Sequence, residues 1–162
     1  MNDIELTELL VSLDVVSERA QLSEISSAMG MECTKSCSHD LGEPLAGRPN
    51  RKWPHTIWRL TSARPEKAPI CEHLDDLFIR FPFDRIRGGN LPSDAEILLN
   101  IGVVGIMFCR TLEIPGSYLK VLAEHSITFT VAVYHPVEDS DSASSEPEVP
   151  GVVGGTPVND DG

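Results

Sequence analysis

Cysteine and histidine are the residues in this sequence whose types and spacing could hold a metal. Cys33, Cys37 and His39 follow one another as Cys-x3-Cys-x-His, and Cys71 and His73 form a Cys-x-His pair. Zinc is bound tetrahedrally by such ligands. Cys71 and His73, however, are two positions apart in a predicted helix, so they cannot point the same way. We therefore expect free thiols and no cofactor, with zinc at Cys33, Cys37 and His39 as the alternative.

A basic segment stands out in a chain whose net charge is −12, because residues 35–67 hold seven basic and three acidic residues. The side chains predicted to contact an anion or a partner protein are Arg48, Arg51, Lys52, Trp53 and Arg59. Tryptophans among basic residues are also typical of surfaces that stack nucleic-acid bases. The alternative is a solvated loop that Trp53 packs down, with Trp58 in the core.

Trp58 and His73 are the residues predicted to line a ligand pocket. His73 precedes Leu74, a predicted core residue, and could act as a general base. The alternative is a histidine on the helix surface. The sequence has no G-x-S-x-G, no phosphate-binding glycine loop and no H-E-x-x-H. We therefore assign no catalytic residue and prefer a non-enzymatic protein, while leaving an enzymatic one open.

Apolar patterning predicts the elements that would position these residues. Alternating or continuous apolar runs predict strands at residues 8–18, 56–62, 95–104, 106–112 and 127–134. Apolar residues at helical spacing predict helices at residues 21–29, 70–81 and 115–124. Pro82 is expected to end or kink the second helix, and Leu119 and Leu122 to point inward from the third. Residues 31–54 are predicted to form one long loop.

The order β-α-β-α-β-β-α-β favours an α+β fold with a five-stranded, mainly antiparallel sheet and three helices on one face. Residues 95–104 and 106–112 are expected to pair as a hairpin. We predict one domain over residues 1–135. Residues 136–162 hold seven acidic residues and no basic or aromatic one, which predicts a disordered acidic tail.

The chain resembles the bacterial domain of unknown function 4279 family over about residues 8–135. The residues that carry the resemblance are Met29-Gly30-Met31, Thr34-Lys35-Ser36, Trp58-Arg59-Leu60-Thr61-Ser62, Glu72-His73-Leu74-Asp75-Asp76-Leu77 and Leu119-Lys120-Val121-Leu122-Ala123-Glu124, followed by a strand ending at Tyr134. The resemblance implies a fold and no catalytic residues. The loop before Trp58 is longer and more basic than the family pattern.

Small size, acidity and the missing catalytic motifs predict a non-enzymatic protein-binding module, of the immunity or inhibitor type, that acts on a partner protein. One alternative is a small-ligand-binding or enzymatic domain with a cleft near residues 35–55. Another is a DNA-mimicking inhibitor of a nucleic-acid-binding protein. An assembly role through sheet-edge pairing is a further alternative. The negative charge argues against nucleic acid as a partner.

The location is predicted from the first residues and from the apolar runs. The segment from Met1 to Glu5 is acidic, whereas a secretory signal begins with a basic region. No apolar run approaches the roughly 18–20 residues that span a bilayer. We expect a cytoplasmic protein without a membrane partner.

Overall fold

The computed structural model describes residues 8–105 and 112–134. The predicted tail at residues 136–162 lies outside this part. So does the predicted strand at residues 106–112, apart from its last residue, together with the hairpin it was expected to form.

The described residues form six strands and four α-helices, which confirms the α+β class. The strands are β1 (Glu8–Ser17), β2 (Pro44–Leu45), β3 (Arg48–Lys52), β4 (Thr56–Thr61), β5 (Glu96–Val104) and β6 (Thr128–Tyr134). The helices are α1 (Leu22–Met29), α2 (Ile70–Arg80), α3 (Phe83–Arg87) and α4 (Gly116–Glu124), with a 3₁₀ turn at Lys35–Cys37. No helix in residues 8–105 and 112–134 is long and apolar enough to cross a membrane.

The main sheet has four strands in the order β4-β1-β5-β6. β1 runs antiparallel to β4 and β5, whereas β6 runs parallel to β5. The predicted five-stranded, mainly antiparallel sheet is therefore replaced, in the described residues, by a mixed four-stranded one. α4 lies between β5 and β6 along the chain and supplies the crossover connection that a parallel pair of strands needs.

Alternation along the strands gives the sheet two different faces. On β1, Val11, Leu13 and Val15 point to the face packed by helices, which we call the core face, and all three are buried. Leu74 and Leu77 of α2 are fully buried in the same cluster. We call the opposite side the open face.

Residues 31–54 are more ordered than the predicted long loop. They contain the 3₁₀ turn and the hairpin β2–β3, which forms a second, two-stranded sheet. Asp40 accepts a hydrogen bond from the backbone N–H of Leu22 at 2.6 Å, which satisfies a free donor at the start of α1. His39 exchanges two backbone hydrogen bonds with Ile57 of β4. These polar contacts order the segment. The spacing of apolar residues does not predict such contacts.

The helices follow their predicted spans closely, with two corrections. α2 ends before Pro82, as predicted, but the chain then forms the short α3, which was missed. Leu119 is 46% exposed, so its predicted inward position is wrong, whereas Leu122 is buried as predicted. Tyr118, one turn before Leu122, packs its ring edge-on against Phe78 at 5.6 Å. These contacts place the inner face of α4 at positions four apart, away from Leu119.

Two leucine substitutions test this assignment of the core. Leu99→Ala removes a fully buried side chain of β5 and is expected to lower the free energy of unfolding by about 2–5 kcal/mol. Leu119→Ala is the matched control and should change it by less than about 0.5 kcal/mol. Urea unfolding followed by circular dichroism measures both. Equal losses would contradict the placement of the core.

Candidate functional site

A polar cluster occupies the middle of the open face. It consists of Ser12, Asp14, Arg59, Asn100 and Thr130, which come from four different strands. Strand register brings them together, because Asp14 lies opposite Arg59, Ser12 opposite Asn100, and Asn100 beside Thr130. Facing positions on neighbouring strands share a face of the sheet.

Asp14 is the centre of the polar cluster and is only 2% exposed. Arg59 donates two hydrogen bonds to the Asp14 carboxylate, from Nε to Oδ1 at 2.8 Å and from Nη2 to Oδ2 at 2.5 Å. Asn100 Nδ2 donates to Oδ2 at 2.8 Å, and Ser12 Oγ donates to Oδ1 at 2.9 Å. Thr130 extends the network by donating to the Asn100 side-chain oxygen. Both carboxylate oxygens therefore accept two bonds each, which offsets the cost of burying the charge.

The hydrogen bonds to Asp14 raise the pKa of Arg59 above its ordinary value, and partial burial opposes them. The guanidinium therefore stays charged at every physiological pH. Two of its five N–H groups bind Asp14. Its side chain is partly exposed, so the remaining donors can be reached from the open face.

A cleft of about 380 Å³ lies over the polar cluster. Leu10 and Tyr134 border it and are 47% and 55% exposed. Gly102 lies between them, and a Cβ at that position would come within 3.2 Å of both the Leu10 Cβ and the Tyr134 Cε2. Gly102 therefore keeps the space between the two side chains open.

Cys37 and Thr61 also line the cleft. The Cys37 Sγ lies 3.3 Å from the Thr61 Oγ1 and 3.5 Å from the Thr34 carbonyl oxygen. Covalent catalysis needs a nucleophile beside a general base, and no histidine or carboxylate of the described residues is hydrogen-bonded to Cys37.

Four of the five residues predicted to contact a partner or an anion lie outside this cleft. Arg48, Arg51 and Lys52 are exposed on β3, in the hairpin. Trp53 follows them and stacks its ring on His39, with ring centres 4.5 Å apart and planes at 11°. Trp53 thus packs the hairpin down. Arg59, the fifth residue, lines the cleft.

Trp58 and His73, the predicted pocket residues, lie in the core and not in the cleft. Trp58 is fully buried because alternation along β4 turns it to the face opposite Arg59, and its Nε1 donates to the Ser26 Oγ at 3.1 Å. His73 is 1% exposed, so the alternative of a histidine on the helix surface is wrong as well. Its Nδ1 lies 2.9 Å from the Ser62 Oγ, and its Nε2 has no hydrogen-bond partner within the described part of the chain.

The zinc alternative at Cys33, Cys37 and His39 gains no support from the geometry. Cys33 packs against the core, and the His39 ring faces Trp53. Within residues 8–105 and 112–134, no three histidine, cysteine, aspartate or glutamate side chains are grouped so that they could hold a metal.

Sequence reasoning missed Asp14, Asn100 and Thr130 as functional candidates. Asp14 reads as an ordinary polar residue on the solvated side of an alternating strand. The available signal is Asn100, a lone amide in the apolar run from Ile97 to Val104. A polar side chain in such a run indicates a buried hydrogen-bond partner, but not which one.

No family model, curated protein or solved structure matches this chain. The resemblance to the domain of unknown function 4279 family therefore stays a prediction.

The contribution of the Asp14–Arg59 pair can be measured by breaking it. Arg59→Ala leaves the buried carboxylate without its counter-charge and should lower the free energy of unfolding by about 3–5 kcal/mol. The double variant Asp14→Asn/Arg59→Ala removes the charge as well and should recover more than half of that loss. Urea unfolding at pH 7 measures both. Equal instability of the single and double variants would show that the unpaired charge is not the cause.

The buried imidazole of His73 predicts an acid-sensitive fold. Burial lowers the pKa of His73 below its ordinary value of 6.5, outweighing the nearby carboxylates of Asp76 and Glu72. As the pH falls below about 6.5, the unfolded chain binds a proton before the folded one, so stability is lost from there down to the folded-state pKa. The free energy of unfolding should therefore depend less on pH between 7 and 5 in His73→Gln than in the wild type. His55→Gln is the control and should keep the wild-type slope; equal slopes for wild type and His73→Gln would contradict the prediction.

Proposed function

We propose that this domain is a non-enzymatic protein-binding module that holds a segment of a partner protein in the open-face cleft. The observation that carries the proposal is the half-exposed pair Leu10 and Tyr134, which flanks Gly102 in the cleft that the fixed guanidinium of Arg59 also lines. An aliphatic and an aromatic side chain that share a cleft with an anchored arginine suit a protein interface.

The side-chain types at the cleft support a protein partner. Tyrosine and arginine are enriched among the residues that dominate binding energy in protein interfaces. Arg59 is already held by Asp14 in two hydrogen bonds. Little further side-chain entropy is therefore lost when its free donors bind a partner, which favours affinity.

The charge of the cleft indicates what kind of segment fits. Asp14 neutralises the positive charge of Arg59, so the cleft does not favour an anionic ligand. It offers hydrogen-bond donors beside apolar walls formed by Leu10, Ala132 and Tyr134. The matching segment presents a carbonyl or amide oxygen next to an apolar side chain. At longer range, the net charge of −12 speeds association with a basic protein, as expected of an immunity- or inhibitor-like module.

A small-molecule ligand is the second candidate for the same cleft. Its volume of about 380 Å³ falls within the range of about 300–1,000 Å³ that small-ligand pockets occupy. The DNA-mimicking alternative has less support. Among the described residues, Arg59 is the charged one that lines the cleft and Asp14 neutralises it, whereas mimicry needs rows of negative charge.

Matched substitutions of two exposed aliphatic residues, Leu10 and Ile79, test the proposal. Leu10→Asp places a charge on the cleft wall. Ile79→Asp makes a comparable change on α2, where the side chain is 84% exposed. Wild type, both variants and a blank matrix are immobilised and incubated with lysate of the source cell, and bound proteins are quantified by mass spectrometry. We expect a specific protein captured equally by wild type and Ile79→Asp and at least about tenfold less by Leu10→Asp.

Recovery of the same proteins by all three forms, or of none above the blank, would contradict a protein partner in the cleft. The small-ligand alternative is tested in parallel with a protein-free extract of the same cells. A rise in melting temperature that Leu10→Asp loses and Ile79→Asp keeps would favour it.

A further inference from the structure

β6, the strand at one edge of the main sheet, carries four of the seven exposed large hydrophobic side chains of the described residues. All seven residues of this strand are exposed. Phe129, Val131 and Val133 point to the core-face side, and Tyr134 to the open-face side, each 39–55% exposed. No described strand pairs with β6 on the side away from β5. Contiguous exposed apolar residues on a strand edge mark a surface that binds another chain.

The opposite edge of the sheet is formed by β4, and other segments of the chain cover it. The outward backbone groups of β4 are satisfied at Ile57, Arg59 and Thr61 by residues 34–39 and a side chain of α2. Ile57 exchanges two bonds with His39, and the Arg59 N–H donates to the Ser38 Oγ. The Arg59 carbonyl accepts from the Thr34 N–H at 2.7 Å.

Thr61 completes the closure of this edge. Its N–H donates to the Thr34 Oγ1 at 3.1 Å, and its carbonyl accepts from the Arg80 Nη2 at 2.7 Å. The β4 edge is therefore covered, whereas β6 lacks the devices that usually protect an edge. Its sequence Thr-Phe-Thr-Val-Ala-Val-Tyr contains no charged residue and no proline.

Charge argues for a second copy of this chain as the occupant. The chain carries a net charge of −12, to which residues 136–162 contribute seven acidic residues and no basic one, so two copies repel one another on average. The uncharged strand β6 is a surface on which two copies can meet without placing like charges opposite each other. A strongly basic partner would gain no ion pair there.

The order of residues in β6 is also self-complementary. An antiparallel pairing centred on Val131 places Val131 opposite its own copy and Phe129 opposite Val133 on the core-face side. The same register places Thr130 opposite Ala132 and Thr128 opposite Tyr134 on the other side. The core-face pairs are apolar, and the register maps onto itself under a two-fold rotation, as a symmetric interface requires.

We propose that two copies of this chain associate through antiparallel pairing of their β6 strands, forming one sheet of eight described strands across the dimer. The two-fold axis is perpendicular to the sheet, so the two clefts open on the same side. The proposal rests on the β6 edge and not on the function proposed for the cleft.

A charge-swap experiment on the full chain tests the pairing. Wild-type protein should be dimeric in sedimentation velocity and equilibrium across a micromolar to sub-millimolar concentration series. Val131→Lys places two ammonium groups opposite each other at the two-fold axis and should weaken self-association at least about tenfold. Ile79→Lys is the matched control on α2 and should remain dimeric. Circular dichroism verifies that each variant is folded.

A mixture keeps the test decisive. Val131→Glu alone should be monomeric for the same reason, whereas an equimolar mixture of Val131→Lys and Val131→Glu should form a heterodimer. Two misfolded variants would not form a heterodimer when they are mixed. Monomeric wild type at every concentration, a dimer that Val131→Lys leaves intact, or a mixture that stays monomeric would each overturn the proposal.

Discussion

The buried carboxylate of Asp14 is the constraint on which the sheet and the cleft depend. β1 is a central strand, and Asp14 lies on it between β4 and β5. A charge with 2% exposure is tolerated only if partners surround it. Arg59 supplies the counter-charge from one neighbouring strand and Asn100 an amide from the other. Slipping either strand by one residue would turn these partners to the core face, so the pair helps to fix strand register.

The same network accounts for the shape of the open face. Because Arg59 lies across Asp14, its guanidinium is held at the floor of the cleft rather than extending into solvent. Thr130 connects β6 to the network through Asn100. Gly102 lies two residues after Asn100 on β5 and leaves the gap between Leu10 and Tyr134. Fold specificity and the binding surface are thus built from overlapping side chains.

Local patterns predicted the elements that depend on local physics. Alternation located β1 and β4, and Gly30 correctly marked the end of α1, where its φ of 66° is one that glycine adopts without strain. The direction of β6 was missed because it is determined by the path of the chain through α4. The partner of Arg59 was missed because Asp14 lies 45 residues away in sequence. The burial of His73 was missed because it depends on how α2 packs against the sheet, which the sequence of the helix alone does not determine.

The cleft and the β6 edge have one strand in common, because β6 forms the edge and also supplies part of the cleft lining. Thr130 and Tyr134 line the cleft, while the backbone of β6 forms the edge. The open-face side chains of β6 move with its backbone, so an occupant that fixes or shifts the strand changes the wall of the cleft. Where binding at one surface alters the affinity of the other, the factor is the same in both directions. The short path from the edge of β6 to Asp14, through Thr130 and Asn100, gives that coupling a physical route.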